Sequence, residues 1–397
     1  MRRLTSGVRS TRPEEMSAPL SLYLHVPFCA SRCGYCDFNT YTATELGDGV
    51  DRASFHEHLA AEITMAARQL AATHRVDTVF VGGGTPTLIG AGALNHLIAR
   101  IRDEFDVAPD LEVTTEANPD SVDEPMLTEL KAGGFTRISF GLQSSAPHVL
   151  QVLERSHAPG AGGKAAQLAR SAGFEHVNLD VIYATPGESD DDLQRTLDEV
   201  LESGVDHVSA YSLIVEQGTA LARRVDRGEL PAPDDDVAAD RYELIDDRLQ
   251  KAGLDWYEVS NWSKPGGECS HNLAYWRNRD WWGIGPGAHS HLDGTRWWNV
   301  KHPRTYANRI TADLSPMQEQ EVTTAEQQRL ERIMMGLRLA EGLPVVDLEM
   351  NDDDIAVVSE GLIDEGLIDP GVLAHGRLAL TRRGRLLADA VVRRLVD

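Results

Sequence analysis

The chain has 397 residues, with 62 acidic and 38 basic side chains and a formal net charge of −24 at pH 7. This length predicts two or three domains, although α/β barrels can exceed the average domain size. The acidic excess argues against a nucleic-acid partner, because phosphate contacts require clustered Lys and Arg.

The N-terminal segment, residues 1–18, is polar and contains a proline. We expect it to be a disordered tail, or to include residues that precede a true start at Met16. It lacks the apolar stretch of a secretory signal, and the chain has no run of 18 apolar residues. The sequence therefore predicts a cytoplasmic protein without an integral membrane segment.

Apolar, β-branched runs alternate with amphipathic stretches of helical period between residues 22 and 218. This alternation is typical of βα units around a parallel sheet. The predicted strands lie at residues 22–28, 76–84, 111–119, 137–144, 176–185 and 207–216. Helices are predicted in most of the gaps, and another at residues 235–253. We therefore expect an α/β fold, an open partial barrel of six parallel strands within residues 19–255.

Polar residues gather at the predicted carboxyl ends of these strands. They are Glu116, Gln143, Arg155 and Asp180, together with the sequence GGGTP at residues 82–86. Ligands of parallel α/β sheets collect at this edge, where loops and helix N-termini converge. Each residue alone could be a loop residue or a helix cap, but their shared position favours a ligand site.

The composition changes after residue 255, since all seven tryptophans lie between Trp256 and Trp298. We predict a distinct tryptophan-rich segment at residues 256–324, whose aromatic side chains serve either core packing or ligand binding. The pattern that follows predicts a helix, a two-stranded wing and a closing helix. Residues 325–397 are therefore predicted to be a winged-helix-like α+β domain, with a structural or lid role because of the acidic composition.

Three cysteines, Cys29, Cys33 and Cys36, follow the first predicted strand with the spacing C-x3-C-x2-C. Three thiolates can ligate three irons of a four-iron cluster and leave the fourth iron open to an exchangeable ligand. The alternatives are a catalytic or free thiol and a structural zinc site. Zinc prefers four ligands, which only Cys269 or scattered histidines could complete. A disulfide framework is disfavoured in a chain of this size.

The cysteine loop after the first strand of a six-strand βα sheet resembles the signature of the radical S-adenosylmethionine (radical SAM) family, and GGGTP resembles its glycine-rich motif. The resemblance implies a 4Fe-4S cluster on the three cysteines. It also implies S-adenosylmethionine as the ligand of the open iron, cleaved by one electron to methionine and a 5′-deoxyadenosyl radical. The glycines are expected to let the backbone approach this cofactor.

Further stretches, LYLHVPFC, RISFGLQS, LERSH, NLDVIYATPGE and HVSAYSLIVEQGT, resemble the subgroup around the oxygen-independent coproporphyrinogen III oxidase. This resemblance implies that Tyr23, Gly83 and Glu116 contact the cluster-bound cofactor. It also implies that a second cofactor site is lined by Tyr35, Gly84, Thr85, Gln143, Arg155 and Asp180.

Two features separate the chain from the oxidase. The oxidase carries another cysteine two residues after the last cluster ligand, where this chain has Phe38. The chain contains instead HNLAYW at residues 271–276, which resembles the HNxxYW signature of the HemW branch of heme chaperones. That resemblance implies heme as a ligand and acceptor hemoproteins as partners, membrane respiratory proteins among the candidates. It also implies no coproporphyrinogen dehydrogenase activity.

Heme is a flat apolar disc whose iron accepts imidazole or thiolate, so its site needs aromatic surface and an axial donor. We expect His271, Asn272, Tyr275 and Trp276 to bind heme, with His271 as the preferred axial ligand and Cys269 as the alternative donor. Core packing, a satisfied buried histidine and an inert thiol are the structural alternatives. The competing functions are radical decarboxylation of coproporphyrinogen and radical methylation of heme.

Overall fold

A computed structural model describes residues 17–46, 50–155 and 157–396, so the predicted tail up to residue 16 lies outside the described residues. The described strands are β1 (Ala18–Val26), β2 (His74–Gly83), β3 (Asp106–Ala117), β4 (Arg137–Gln143), β5 (His176–Tyr183), β6 (His207–Ser212), β7 (Asp255–Glu258), β8 (Asn261–Ser263), β9 (Trp281–Ile284), β10 (His289–Leu292), β11 (Thr295–Asn299), β12 (Met317–Val322), β13 (Leu343–Pro344) and β14 (Arg377–Leu378).

The described α-helices are α1 (Ala43–Leu46), α2 (Phe55–Leu70), α3 (Ala91–Glu104), α4 (Glu124–Ala132), α5 (Pro147–Val152), α6 (Ala161–Ser171), α7 (Asp190–Glu202), α8 (Ala220–Asp226), α9 (Asp235–Lys251), α10 (Ser270–Trp276), α11 (Pro303–Thr311), α12 (Ala325–Gly336), α13 (Asp352–Asp364), α14 (Pro370–Leu373), α15 (Arg382–Leu386) and α16 (Ala388–Val396). Short 3-10 helices cover Pro86–Ile89 and Val345–Leu348. None of the described helices is long and apolar enough to cross a membrane.

Strands β1 to β6 pair in sequence order, and every pair is parallel. Helices connect each strand to the next, as parallel pairing requires. The predicted α/β fold with six parallel strands is therefore confirmed. The largest difference in a strand start is at β3, which begins at Asp106, five residues before the predicted position 111.

Helix α2 shows why the predicted helices form and where they pack. Its residues Leu59, Ile63, Ala66 and Leu70 recur at helical spacing on one face and are almost fully buried. They belong to the same apolar cluster as the buried residues of β1 and β2. Burial of a Leu or Ile side chain contributes about 1.5–3 kcal/mol, so this face attaches the helix to the sheet.

The tryptophan-rich segment extends the sheet at both edges, which the strand pattern did not predict. In the described chain the sheet has twelve strands, in the order β12-β11-β10-β9-β1-β2-β3-β4-β5-β6-β8-β7. Strand β9 pairs with β1 in parallel, and β10, β11 and β12 continue that edge in antiparallel order. Strands β7 and β8 extend the opposite edge beyond β6. The segment is thus structurally continuous with the sheet of the barrel.

The C-terminal elements from α12 to α16 have an apolar cluster of their own, which includes Ile333, Leu337, Leu362 and Val391. Strands β13 and β14 form a two-residue antiparallel ladder beside these helices. A two-residue ladder with helices does not establish a winged helix, so that assignment stays a prediction, as do the domain bounds.

A buried carboxylate attaches this C-terminal unit to the barrel. Asp246 on α9 accepts hydrogen bonds from Trp262 Nε1 at 2.8 Å and from Arg382 Nε at 2.7 Å. Arg385 also donates to Asp246, at 3.2 Å, and its guanidinium lies 3.8 Å above the ring of Trp256. Helix α15 is therefore fixed against the end of the sheet that β7 and β8 form.

A second buried carboxylate attaches the strands of the β9 edge to α2. Glu62 accepts hydrogen bonds from the Gly285 amide at 2.7 Å, Asn299 Nδ2 at 2.8 Å and Tyr306 Oη at 2.5 Å. Burial raises the pKa of Glu62 to about 7, and the three donors oppose that shift. Because Gly285 directly follows β9, this carboxyl group positions the turn that leads to β10.

We expect Glu62→Ala to destabilise the protein. Each buried donor that loses its partner costs about 1–3 kcal/mol, and the substitution leaves three such donors. Urea denaturation of the full chain measures the change. The matched control is Glu57→Ala on the same helix, whose carboxylate side chain is 62% exposed and should change stability by less than about 0.5 kcal/mol. Equal losses in the two variants would show that Glu62 does not anchor the β9 edge.

Candidate functional site

The cysteine loop leaves the carboxyl end of β1 and returns to it. The Cys29 amide donates to the Tyr41 carbonyl at 3.0 Å, and the Tyr41 amide donates to the Pro27 carbonyl at 2.7 Å. Gly34, near the tip, donates to the Leu153 carbonyl at 3.1 Å. The loop is therefore closed at its base and held at its tip by the segment that follows α5. All three cysteines on it are free and partly exposed.

The three cysteines line one cavity of about 380 Å³ at the carboxyl edge of the parallel strands, which we call the cysteine cavity. Nearly all the residues proposed for S-adenosylmethionine line the same cavity: Tyr35, Gly83, Gly84, Thr85, Glu116, Gln143, Arg155 and Asp180. Tyr23 is the exception. It lines a neighbouring cavity and its hydroxyl bonds to His25 Nδ1 at 3.0 Å. The structure thus brings the predicted cluster and cofactor residues together from five different strand ends.

Two partly buried carboxyl groups lie in this cavity. Glu116 accepts a hydrogen bond from the Gly83 amide at 3.0 Å, while burial, together with the nearby Asp180, raises the pKa of Glu116 to about 8. Asp180 accepts from Ser139 Oγ at 3.0 Å and from Asn178 Nδ2 at 2.7 Å, and burial raises its pKa as well. Such a pair of carboxyl groups can bind amino or hydroxyl groups of a ligand, and a nearby ligand cation would lower both pKa values.

Arg155 connects the cavity to the cysteine loop. Its Nη1 donates to Cys33 Sγ at 3.4 Å, and its Nη2 donates to Asn118 Oδ1 at 2.9 Å and to the Gly141 carbonyl at 2.7 Å. Its Nε is buried with no hydrogen-bond partner among the described residues, as is Oε1 of Gln143. Gln143 also has a φ of +62°, a strained conformation that is concentrated at ligand sites. These free polar atoms fit a polar ligand in the cavity.

Sequence reasoning missed Asn118, which lines the cavity and links two of its walls. Its Oδ1 accepts from Arg155 and its Nδ2 donates to Thr85 Oγ1 at 3.1 Å. The available signal was its position two residues after Glu116, beyond the end of the same strand.

Two glycines of GGGTP, Gly83 and Gly84, allow close packing between β2 and the cysteine loop. Gly83 has a φ of +117°, and a Cβ there would lie 2.7 Å from the Val26 carbonyl oxygen. A Cβ on Gly84 would lie 2.4 Å from the Phe28 carbonyl oxygen and 2.9 Å from Cys29 Sγ. The end of β2 can therefore pack against the start of the cysteine loop, and this contact places the glycines on the cavity wall.

His271, the preferred candidate for the heme ligand, is buried at 1% exposure at the start of α10. Its Nδ1 bonds to Thr78 Oγ1 at 2.8 Å and its Nε2 to Tyr275 Oη at 2.9 Å. Burial lowers its pKa to about 3, so the ring is neutral. Both ring nitrogens are engaged, and iron ligation by His271 requires one of these bonds to break.

The rest of HNLAYW is more accessible. Asn272, Tyr275 and Trp276 line a cavity of about 280 Å³ together with Tyr211, which also lines the cysteine cavity. Cys269, the alternative donor, is buried, its Sγ lies 3.5 Å from Glu112 Oε1, and burial strongly raises its pKa. Tyr211 therefore separates the HNLAYW segment from the cysteine cavity. The two candidate iron ligands, His271 and Cys269, are buried and do not line either cavity.

Comparisons with known proteins show the family to which the chain belongs. A model of the Radical SAM superfamily matches residues 23–200. The heme chaperone HemW of Mycobacterium tuberculosis is 54% identical over 380 residues, which are 95% of each chain. The chain belongs to the HemW family. HemW of Escherichia coli is 34% identical over 83% of this chain and 85% of its own.

A solved structure, the coproporphyrinogen III oxidase HemN from Escherichia coli, matches the fold with a TM-score of 0.80. The match covers 96% of this chain and 90% of that one, at 22% identity. The superfamily model ends at residue 200, whereas the Mycobacterium tuberculosis relative aligns over 95% of the chain. The similarity to this relative therefore extends beyond the residues that the superfamily model matches.

We expect Gly84→Ala to disturb the cysteine loop, because the added methyl group overlaps the Phe28 carbonyl and Cys29 Sγ. Overpacking of this kind costs about 1–3 kcal/mol, and the loop is the segment that can move. The variant should retain less iron than the wild type after anaerobic reconstitution. Gly92→Ala on α3, where the added Cβ meets only Glu129 Oε1 at 3.5 Å, is the control and should keep its iron. Normal iron content in Gly84→Ala contradicts the close packing.

Proposed function

We propose that this member of the HemW family binds heme and delivers it to acceptor hemoproteins. We propose further that it carries a 4Fe-4S cluster on Cys29, Cys33 and Cys36, with S-adenosylmethionine as exchangeable ligand. The observation that carries the proposal is the 54% identity to the Mycobacterium tuberculosis heme chaperone over nearly the whole of both chains. The HNLAYW segment beside the cysteine cavity supports it.

The donor set fits a cluster with one open iron. Three free thiols line the cavity, and position 38, where the oxidase subgroup has a further cysteine, is Phe38. The Arg155 guanidinium, which donates to Cys33 Sγ at 3.4 Å, places a cation beside these thiols. When both are bound, a reduced cluster would supply one electron, and S-adenosylmethionine would be cleaved by it.

The cavity residues also fit S-adenosylmethionine. The carboxyl groups of Glu116 and Asp180 can accept hydrogen bonds from its amino and ribose hydroxyl groups, and Gln143 Oε1 is an unused acceptor. The free Nε of Arg155 is a donor for its carboxylate. We assign these residues, with Tyr35, Gly83, Gly84 and Thr85, to S-adenosylmethionine, and Tyr23 to the wall next to it.

For heme, we propose that the HNLAYW segment contributes aromatic surface. Tyr275 is partly exposed in a cavity that borders the cysteine loop, and Trp276 and Asn272 are partly exposed in a second cavity that Tyr275 also lines. We place the protein in the cytoplasm, a reducing compartment in which free thiols persist. Its acceptors are then hemoproteins, membrane respiratory proteins among them.

We expect Cys29→Ser, Cys33→Ser and Cys36→Ser each to abolish the absorption and electron paramagnetic resonance signal of the reconstituted four-iron cluster, because no spare thiol lines the cavity within the described residues. Cys269→Ala is the control, since Cys269 is buried at 3% exposure beside Glu112 and does not line that cavity. If Cys269→Ala loses the cluster as completely as Cys33→Ala, the three-thiolate site is wrong.

We expect the reconstituted protein to bind ferric heme and to form no protoporphyrinogen from coproporphyrinogen. The assay supplies S-adenosylmethionine and an electron donor without oxygen. Heme binding is followed by the Soret band and product formation by chromatography. Appreciable turnover would assign the chain to the oxidase, and the absence of heme binding would remove the chaperone proposal.

A further inference from the structure

The cavity that Tyr23 lines has a volume of about 680 Å³ and lies between the cysteine loop and the strands of the β9 edge. We call it the aromatic cavity. Its volume is within the range of small-molecule sites. Its aromatic lining consists of Tyr23, Phe38, Tyr41, Tyr275 and Trp281. Flat aromatic surface on several sides suits a flat, apolar ligand better than a small polar one.

His289, at the start of β10, is an exposed imidazole that lines this cavity. Its ring stacks on Trp298 at 5.7 Å, and neither ring nitrogen forms a hydrogen bond with a described residue. The other histidine in the lining, His25, has both nitrogens engaged, by Tyr23 Oη at 3.0 Å and the Asn39 carbonyl at 2.9 Å. His289 is therefore the imidazole of this lining that is free to ligate a metal.

The charge of the lining suits a ligand with carboxylates. Lys301 and Arg32 are its cations and Asp37 is its acidic residue. Lys301 forms no ion pair with a described residue, whereas Arg32 pairs with the exposed Glu45 at 3.4 Å. Desolvation by the surrounding side chains and the nearby charge of Lys301 both lower the pKa of His289, which favours the neutral, metal-binding form of the imidazole.

Hydrogen bonds between its walls pre-form the cavity. Asn39 in the cysteine loop donates from Nδ2 to the Pro286 carbonyl and to the Lys301 carbonyl, both at 2.9 Å. Tyr41 from the same loop also reaches the Lys301 carbonyl, at 3.4 Å. The loop that carries the cysteines and the segment that carries His289 are thus joined along the cavity.

We propose that heme binds in this cavity, with its iron ligated by His289, its ring against the aromatic lining, and its propionates at Lys301 and Arg32. This inference rests on the proposed function and assigns its ligand site. His271 then acts as a positioning residue, since its Nε2 holds the hydroxyl of Tyr275, which belongs to the lining.

The test is ferric heme titration of the reconstituted full chain, followed by Soret absorption and resonance Raman spectroscopy. His289→Ala should lose the imidazole-ligated spectrum and bind heme about tenfold more weakly. Added free imidazole should restore the spectrum, because it can occupy the space that the side chain leaves. Unchanged cluster absorption shows that the variant is folded. His375→Ala, an exposed histidine of the C-terminal unit, is the control and should behave as wild type.

His271→Ala should keep the imidazole-ligated spectrum. Loss of that spectrum in His271→Ala together with its retention in His289→Ala would overturn the inference and return the ligand to HNLAYW. Failure of the wild type to bind heme is a different result, because it removes the proposed function itself.

The propionate contact has a separate test. The wild type should bind heme more tightly than heme dimethyl ester, which lacks the two carboxylates. Lys301→Met should reduce this preference, while Lys164→Met, at an exposed position on α6, should not. An unchanged preference in Lys301→Met overturns the proposed orientation.

Discussion

Strand β1 lies between two parallel neighbours, β2 and β9, and the positions of the candidate sites depend on this pairing. The carboxyl ends of the three strands meet at one edge. Gly83 ends β2 and Gly285 directly follows β9, and both have a positive φ. A Cβ on Gly83 would lie 2.7 Å from the Val26 carbonyl oxygen, and a Cβ on Gly285 would lie 2.5 Å from the His25 carbonyl oxygen. The cysteine loop therefore continues β1 with a glycine turn packed on either side. The cysteine cavity opens toward the β2 side and the aromatic cavity toward the β9 side.

The parallel barrel could be predicted from the sequence because its strands are long, apolar and separated by periodic helices. The cavity residues could be predicted because parallel topology brings strand ends together, whatever the sequence distance between them. Strand β9 has only the four residues Trp281–Ile284, and its partner β1 lies far away in the chain, so no local pattern identifies the pairing. The role of His271 was hidden for the same reason. Its hydrogen-bond partner Thr78 is 193 residues away, and a buried histidine and a ligand histidine look alike in a motif.

The aromatic cavity differs in charge from the whole chain, because its lining has two cations, Arg32 and Lys301, and one acidic residue, Asp37. The protein carries a net charge of −24, yet cations lie at both faces of the cysteine loop, with Arg155 beside Cys33 and Arg32 and Lys301 in the aromatic cavity. A four-iron cluster held by three thiolates, as proposed, would carry a net negative charge that Arg155 beside Cys33 can offset. Glu116 and Asp180 lie in the same cavity, and burial raises the pKa of each carboxyl group. The proposed S-adenosylmethionine carries both an amino and a carboxylate group, so it can pair with the acidic and the basic side chains of this cavity.

Phe38 shows how one position can serve both cavities. It lines the cysteine cavity and the aromatic cavity, and it is 61% exposed. Tyr211 and Ile214, at 44% and 64% exposure, extend the apolar rim of the cysteine cavity. Large apolar side chains that remain exposed together mark surfaces that a ligand or a partner covers. A thiol at position 38 would offer a further reactive donor near the three cysteines, whereas the phenyl ring offers flat surface to an apolar ligand. Phe38 therefore makes the wall between the two cavities apolar and aromatic, and it leaves the three cysteines unchanged.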